Sequence, residues 1–84
     1  MIYTVSWTEA ALQMLAAIWL AALDRNAITI ASDAIDAELR VDPDTLGTPF
    51  FDTVRNYVRP PSGVQFEAIE ADRIVHVLSV WLLP

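Results

Sequence analysis

From Ile2 to Trp7 the chain alternates, with Tyr3, Val5 and Trp7 on one side and Thr4 and Ser6 on the other. A period of two, carried by aromatic and β-branched residues, predicts a strand. Thr8 stands where a helix N-cap belongs, and Glu9 puts a carboxylate in the first turn, where the helix dipole favours it. Ser6 and Glu9 also have the spacing of a capping box, so the start is set only to within two residues. The period then lengthens. Leu12, Leu15, Ala16, Trp19 and Leu23 recur at i, i+3 and i+4 and are expected to form the main buried stripe of a helix. Met14, Ile18 and Ala22 make a second apolar face. Asp24-Arg25-Asn26 breaks the run and can cap a second helix. There Ile28, Ala31, Ile35 and Leu39 form one stripe, with Asp33, Asp36 and Arg40 left for solvent. So short a connection predicts an antiparallel helical hairpin.

Asp42-Pro43-Asp44 ends the second helix, because proline disfavours helical geometry in the residue before it. Gly47, Thr48 and Pro49 continue as loop. From Val54 the alternation returns, with Arg55, Tyr57 and Arg59 on one face and Val54, Asn56 and Val58 on the other. Pro60-Pro61-Ser62-Gly63 must break it, since consecutive prolines cannot donate to a sheet ladder. Val64 to Ile69 resumes as a strand, Glu70 to Arg73 turns tightly, and Ile74 to Leu82 returns as the most apolar strand of a hairpin. The order is β-α-α-β-β-β. It describes one α+β domain over residues 1–84, a helical hairpin on a small antiparallel sheet whose far side carries arginine and aromatic groups. There is no internal repeat, low-complexity tract or linker.

Composition changes this picture in three ways. A chain of 84 residues buries only about 60% of its unfolded surface, yet 55% of these residues are hydrophobic. That is more apolar material than one small core hides. The surplus predicts an exposed patch for a protein partner or a second copy of the chain. The net charge is −6, with five arginines and no lysine. Phosphate affinity rests on clustered cations, so free nucleic acid is a poor partner, and an anionic membrane surface is no better. No cysteine is present, which excludes disulfides and thiolate metal sites and fits a reducing, cytoplasmic compartment. The apolar run from Ala10 to Leu23 is shorter than the ~20 residues that cross a bilayer. Residues 1–9 also lack the basic start of a secretory signal.

The clearest candidate chemistry is the stripe Arg55, Tyr57, Arg59. Two guanidiniums flanking one phenol could hold a phosphate or a partner carboxylate bidentately, with the ring free to stack. The plainer reading is an edge strand whose charges discourage aggregation. His76, the only imidazole, sits mid-strand among apolar neighbours, where a structural role outweighs that of a general base. Ser62 or Ser79 with His76 suggests a hydrolytic triad by residue type alone, and no nucleophile elbow accompanies them. One histidine plus carboxylates is a weak metal site, and two glycines cannot build a phosphate loop, so neither metal nor cofactor is expected. Asp33, Asp36 and Glu38 share no narrow face and read as solvated surface. Trp7 and Trp19 read as core. Trp81, with Leu82 and Leu83, leaves an apolar end that nothing later in the sequence covers, and it is expected in an interface.

Tyr3-Thr4-Val5-Ser6-Trp7-Thr8-Glu9-Ala10-Ala11 resembles the start of RelE/ParE-type toxins, a strand ending in a Ser/Thr cap followed by an Ala-rich helix. The likeness continues through the helical hairpin, the loop with Asp42, Pro43 and Gly47, and Arg55 opening the next strand. It ends in the hairpin of residues 64–81. The resemblance implies ribosome-dependent mRNA cleavage or gyrase poisoning, with a cognate antitoxin wrapped over the toxin. The chain departs from the RNase pattern. The family's basic residue at the start of the third strand falls near Ser62-Gly63, and its closing basic positions fall at Leu82-Leu83. The groove lysines have no counterpart, and the family's C-terminal extension would follow Pro84, where the sequence ends. Only Arg55 matches a catalytic position. The expectation is a toxin-family component of a type II toxin–antitoxin module that acts by protein binding and is weak or inactive as an mRNase. Arg55, Tyr57, Arg59 and Trp81 are its candidate binding residues. The alternative is a stand-alone interaction domain that keeps the fold without toxicity.

Overall fold

In a computed structural model that describes residues 2–84, Thr4–Trp7 forms strand β1. Tyr3 is buried, Val5 and Trp7 pack against the core, and Thr4 and Ser6 are exposed, as the alternation requires. Helix α1, Glu9–Ala21, starts where Thr8 accepts a hydrogen bond from the Ala11 amide. Helix α2, Arg25–Val41, starts where Asp24 accepts from the Ala27 amide. Each cap satisfies a backbone donor that has no partner inside the helix. The helix ends at Asp42, just before Pro43.

Four further strands follow: β2 (Thr48–Phe51), β3 (Val54–Arg59), β4 (Ser62–Ile69) and β5 (Ile74–Leu82). Pro60 and Pro61 turn β3 into β4. A single 3-10 turn, Glu70–Asp72, and Arg73 with a positive φ turn β4 into β5. The sheet order is β1-β5-β4-β3-β2. All neighbours are antiparallel except β1, which runs parallel to β5. The fold class is therefore α+β as expected, but the sheet is mixed rather than antiparallel and has five strands rather than four. Alternation identifies a strand but is silent on the direction of its neighbour, which the helical crossover sets. The extra strand, β2, lies in a stretch that reads as loop because of Gly47 and Pro49. Pro49 is tolerated there because β2 is an edge, where a missing amide donor forfeits no ladder bond.

The core lies between the helices and one face of the sheet. Ile35 and Leu39 of α2 meet Val64 and Phe66 of β4 and Val75, Val77 and Val80 of β5, closed by Tyr3 and Ala11. Strict alternation along β5 would turn residue 80 outward. Leu78 is an extra residue opposite the Gln65–Phe66 step, a bulge that returns Val80 to the core. The α2 stripe of Ile28, Ala31, Ile35 and Leu39 is buried throughout, as its spacing predicts.

The α1 stripe is a correction. Leu12, Ala16, Trp19 and Leu23 are exposed; of the expected stripe Leu15 alone packs against the core, in line with Ala11 and Ile18. A helix that is apolar almost all round offers more than one stripe with helical spacing. The sheet selected the one containing Ala11, whose small side chain, fully buried, permits close approach.

Candidate functional site

The register β3–β4 pairs Arg55 with Phe66, Tyr57 with Val64 and Arg59 with Ser62. Cross-strand partners share a face, so the arginine stripe lies on the side of the core and helices, not on the far side expected from sequence. Trp81 pairs with Gly63, one step out of phase, and lies on the opposite face. Three of the four predicted binding residues are thus brought together, and Trp81 is apart from them.

Each member of the stripe already has a partner. The Arg55 Nε donates to the Leu46 carbonyl at 2.9 Å and its Nη2 to the Gly47 carbonyl at 3.2 Å. Gly47, at φ 67°, allows the loop to approach this closely, because a Cβ there would stand 1.9 Å from the Asn56 carbonyl oxygen. The Tyr57 hydroxyl donates to Glu38 Oε2 at 2.7 Å, and Arg59 Nη1 lies 3.5 Å from Glu38 Oε1. Burial pushes the Tyr57 pKa up, and the Glu38 carboxylate pushes it further, against the smaller opposing effect of Arg59. The phenol is therefore a proton donor at neutral pH and is not poised as a base. This arrangement is a polar latch between α2 and β3, in which loop carbonyls take two of the Arg55 donors and Glu38 takes the Tyr57 hydroxyl, while Arg59, half exposed, makes a single ion pair.

Glu38 was not legible as part of this cluster; with Asp33 and Asp36 it reads as solvated surface. Its neighbour Leu39 is fully buried, and a carboxylate one step from a buried stripe flanks the core, which was the available signal. Of the other candidates, Ser62 is buried on the helix side while His76 lies on the far face, opposite Glu67 and Ser6, so they cannot share a triad. No group of acidic, histidine or cysteine side chains among the described residues could hold a metal. No helix among them is long and apolar enough to cross a membrane.

A second feature was hidden by the mistaken stripe. Leu12, Trp19 and Leu20 stand 51%, 40% and 65% exposed along a groove between α1 and α2 of about 410 Å³, floored by Leu15 and Ile28. The Arg25 guanidinium lies 4.7 Å from the Trp19 ring centre and donates to the Trp19 and Leu20 carbonyls, so it closes one end of α1 as a cap. At the other end the groove runs into a smaller hollow bounded by Trp7, Asp33 and Asp36.

No protein-family model matches the sequence, and no curated protein matches it. Solved structures do. The RelBE2 toxin–antitoxin complex of Mycobacterium tuberculosis contains a chain that superposes with a TM-score of 0.80 at 18% identity, over 96% of this chain and 91% of that one. The chromosomal ParDE toxin–antitoxin system of P. aeruginosa gives 0.68 at 18%, over 99% and 98%. A mutant of the E. coli toxin RelE in the free state gives 0.69 at 17%, over 95% and 82%. The chain has the RelE/ParE-type toxin fold.

Proposed function

We propose that this RelE/ParE-type fold serves as the toxin-family component of a type II toxin–antitoxin module in the cytoplasm, acting through protein binding and not as an effective mRNase. The observation that carries the reading is the occupied stripe. Arg55 is tied to loop carbonyls, and Glu38 engages both Tyr57 and Arg59. Cleavage of RNA needs cations aimed at a phosphate and a group able to move a proton. Here the cations face the chain's own acceptors, and the phenol holds its proton. The net charge of −6 adds a repulsive field against any polyanion. Apolar side chains left open on α1 supply what a protein partner requires.

Two of the structural neighbours are toxin–antitoxin assemblies, and a cognate antitoxin is the corresponding partner here. The stripe and Trp81 are the proposed contact residues, on two faces of the sheet that a wrapping partner can reach together. The test is a growth assay. Expression of the chain alone should arrest growth, and co-expression of the small protein encoded in the adjacent reading frame should restore it. Replacing Arg55 and Arg59 together by Ala, with the fold intact, should abolish partner binding or toxicity. Normal growth under strong expression would favour the stand-alone interaction domain and overturn the toxin reading.

A further inference from the structure

The sheet ends on two strands of equal length, β1 and β2, and they are not protected alike. The β2 edge carries Pro49, which has no N–H to offer, and its register breaks between Pro49 and Phe51. Both features discourage a further strand from adding. The β1 edge has neither. Thr4–Trp7 holds no proline, glycine or charge, and it pairs with β5 in unbroken register. The Thr4 N–H donates to the Arg73 carbonyl at 2.8 Å and the Thr8 N–H to the Val77 carbonyl at 3.1 Å, so residues 4, 6 and 8 turn toward β5. Tyr3, Val5 and Trp7 turn the other way. The Tyr3 N–H is taken by the Arg40 carbonyl at 2.8 Å. The outward N–H and C=O groups of Val5 and Trp7 have no hydrogen-bond partner among the described residues.

We infer that β1 pairs with β1 of a second copy of this chain, antiparallel across a two-fold axis at Ser6, so that two sheets become one. The register follows from the free groups. Residues that exchange both N–H···O bonds in an antiparallel pair must turn both groups to the shared edge. Val5 opposite Trp7 of the second copy meets that need, and symmetry repeats it with Trp7 opposite Val5. The same register sets Val5 against an indole on the helix side, a favourable cross-strand pair, and Ser6 against Ser6 on the open face. The edge is already rigid, because Trp7 Nε1 donates to Asp36 at 3.0 Å and the chain is tied down at Tyr3 and Thr8. Little order is left to lose on pairing. Residues 2–8 carry no charge, so the edge has no ion pair to offer a charged foreign strand, while a second copy brings the same neutral stretch. Contact along so short a strand falls below the ~1,200 Å² of stable complexes, which places the Kd at roughly 10 µM to 1 mM. The whole-chain charge of −6 opposes approach at long range, and salt screens that repulsion. The inference needs only the strand edge and is independent of the toxin reading.

The experiment is sedimentation equilibrium of the intact chain at rising concentration, with NMR amide exchange followed in parallel. The mass should climb toward that of a dimer, more readily as salt rises, and the Val5 and Trp7 amides should exchange more slowly in concentrated than in dilute samples. Ser6→Lys and Ser6→Glu, at an exposed position, each put like charges directly opposite each other at the axis. Each should keep the wild-type thermal melting and weaken the dimer about tenfold. An equimolar mixture of the two should restore it. Phe51→Lys, on the β2 edge, should leave association unchanged. A chain that stays monomeric up to ~1 mM would overturn the inference. So would a dimer that ignores both Ser6 variants, or one that Phe51→Lys dissolves, since either places the contact on another surface. Should a Ser6 variant melt early, the concentration dependence of the Val5 and Trp7 amides in the wild type decides alone, and exchange rates that do not change with concentration refute the pairing. Slowing at these amides only when the adjacent frame's product is added would overturn it in favour of a partner's strand, with the toxin–antitoxin reading left standing.

Discussion

Replacing Tyr57 by Phe isolates the latch between α2 and β3, because it removes one oxygen and keeps the ring packed against the core. The lost contact is a 2.7 Å hydrogen bond to a carboxylate whose side chain is 33% exposed. Hydrogen bonds to charged groups contribute about 1.5–3 kcal/mol, and partial solvation places this one near the lower bound. For a domain of this size 1 kcal/mol corresponds to about 4–8 °C in Tm, so the variant should melt roughly 6–12 °C below the wild type at pH 7. The alkaline limb supplies a second readout. The phenol titrates above its ordinary pKa of 10.0 in the folded chain. Stability linked to its proton is therefore fully present below about pH 10 and lost as the pH rises through the folded value. The Phe variant has no such proton, so the two melting curves should converge above pH 10. Circular dichroism melts from pH 6 to 11 measure both effects. An unchanged Tm at pH 7, or a gap that persists undiminished at high pH, would refute the latch.

Phe66→Ala should cost about 3–5 kcal/mol, since the ring is fully buried in the core; in urea titrations this should leave the chain largely unfolded at 37 °C. Gly63→Ala places a Cβ 2.5 Å from the Trp81 ring and should destabilise by about 1–3 kcal/mol. The same change should cost less in a Trp81→Leu background, and an additive double mutant would disprove the contact. Thr8→Ala and Asp24→Ala each remove a helix cap and should lower stability by about 1 kcal/mol, read from denaturant midpoints at constant slope.

Local chemistry carried most of the fold. The caps at Thr8 and Asp24, the α2 stripe, the stop before Pro43 and the β4–β5 hairpin are all properties of short stretches, and the structure has each of them. What was hidden depends on pairing. The parallel partnership of β1 with β5 is set by where the helical hairpin delivers the chain. In α1 several apolar lines have helical spacing, and only contact with the sheet decides that Ala11 goes in and Trp19 stays out. The candidate site divides in the same manner. Alternation put Arg55, Tyr57 and Arg59 on one face, which the register bears out. That this face meets α2, and that Glu38 reaches across to it, are long-range facts. No periodicity encodes them.

The state of the arginine stripe is tested most directly by an mRNA cleavage assay with purified chain, translating ribosomes and end-labelled message. With Arg55 hydrogen-bonded to the Leu46 and Gly47 carbonyls and Arg59 paired with Glu38 at 3.5 Å, the message should remain intact across a wide range of protein concentration. Efficient ribosome-dependent cuts that disappear when Arg55 and Arg59 are both replaced by Ala would contradict it.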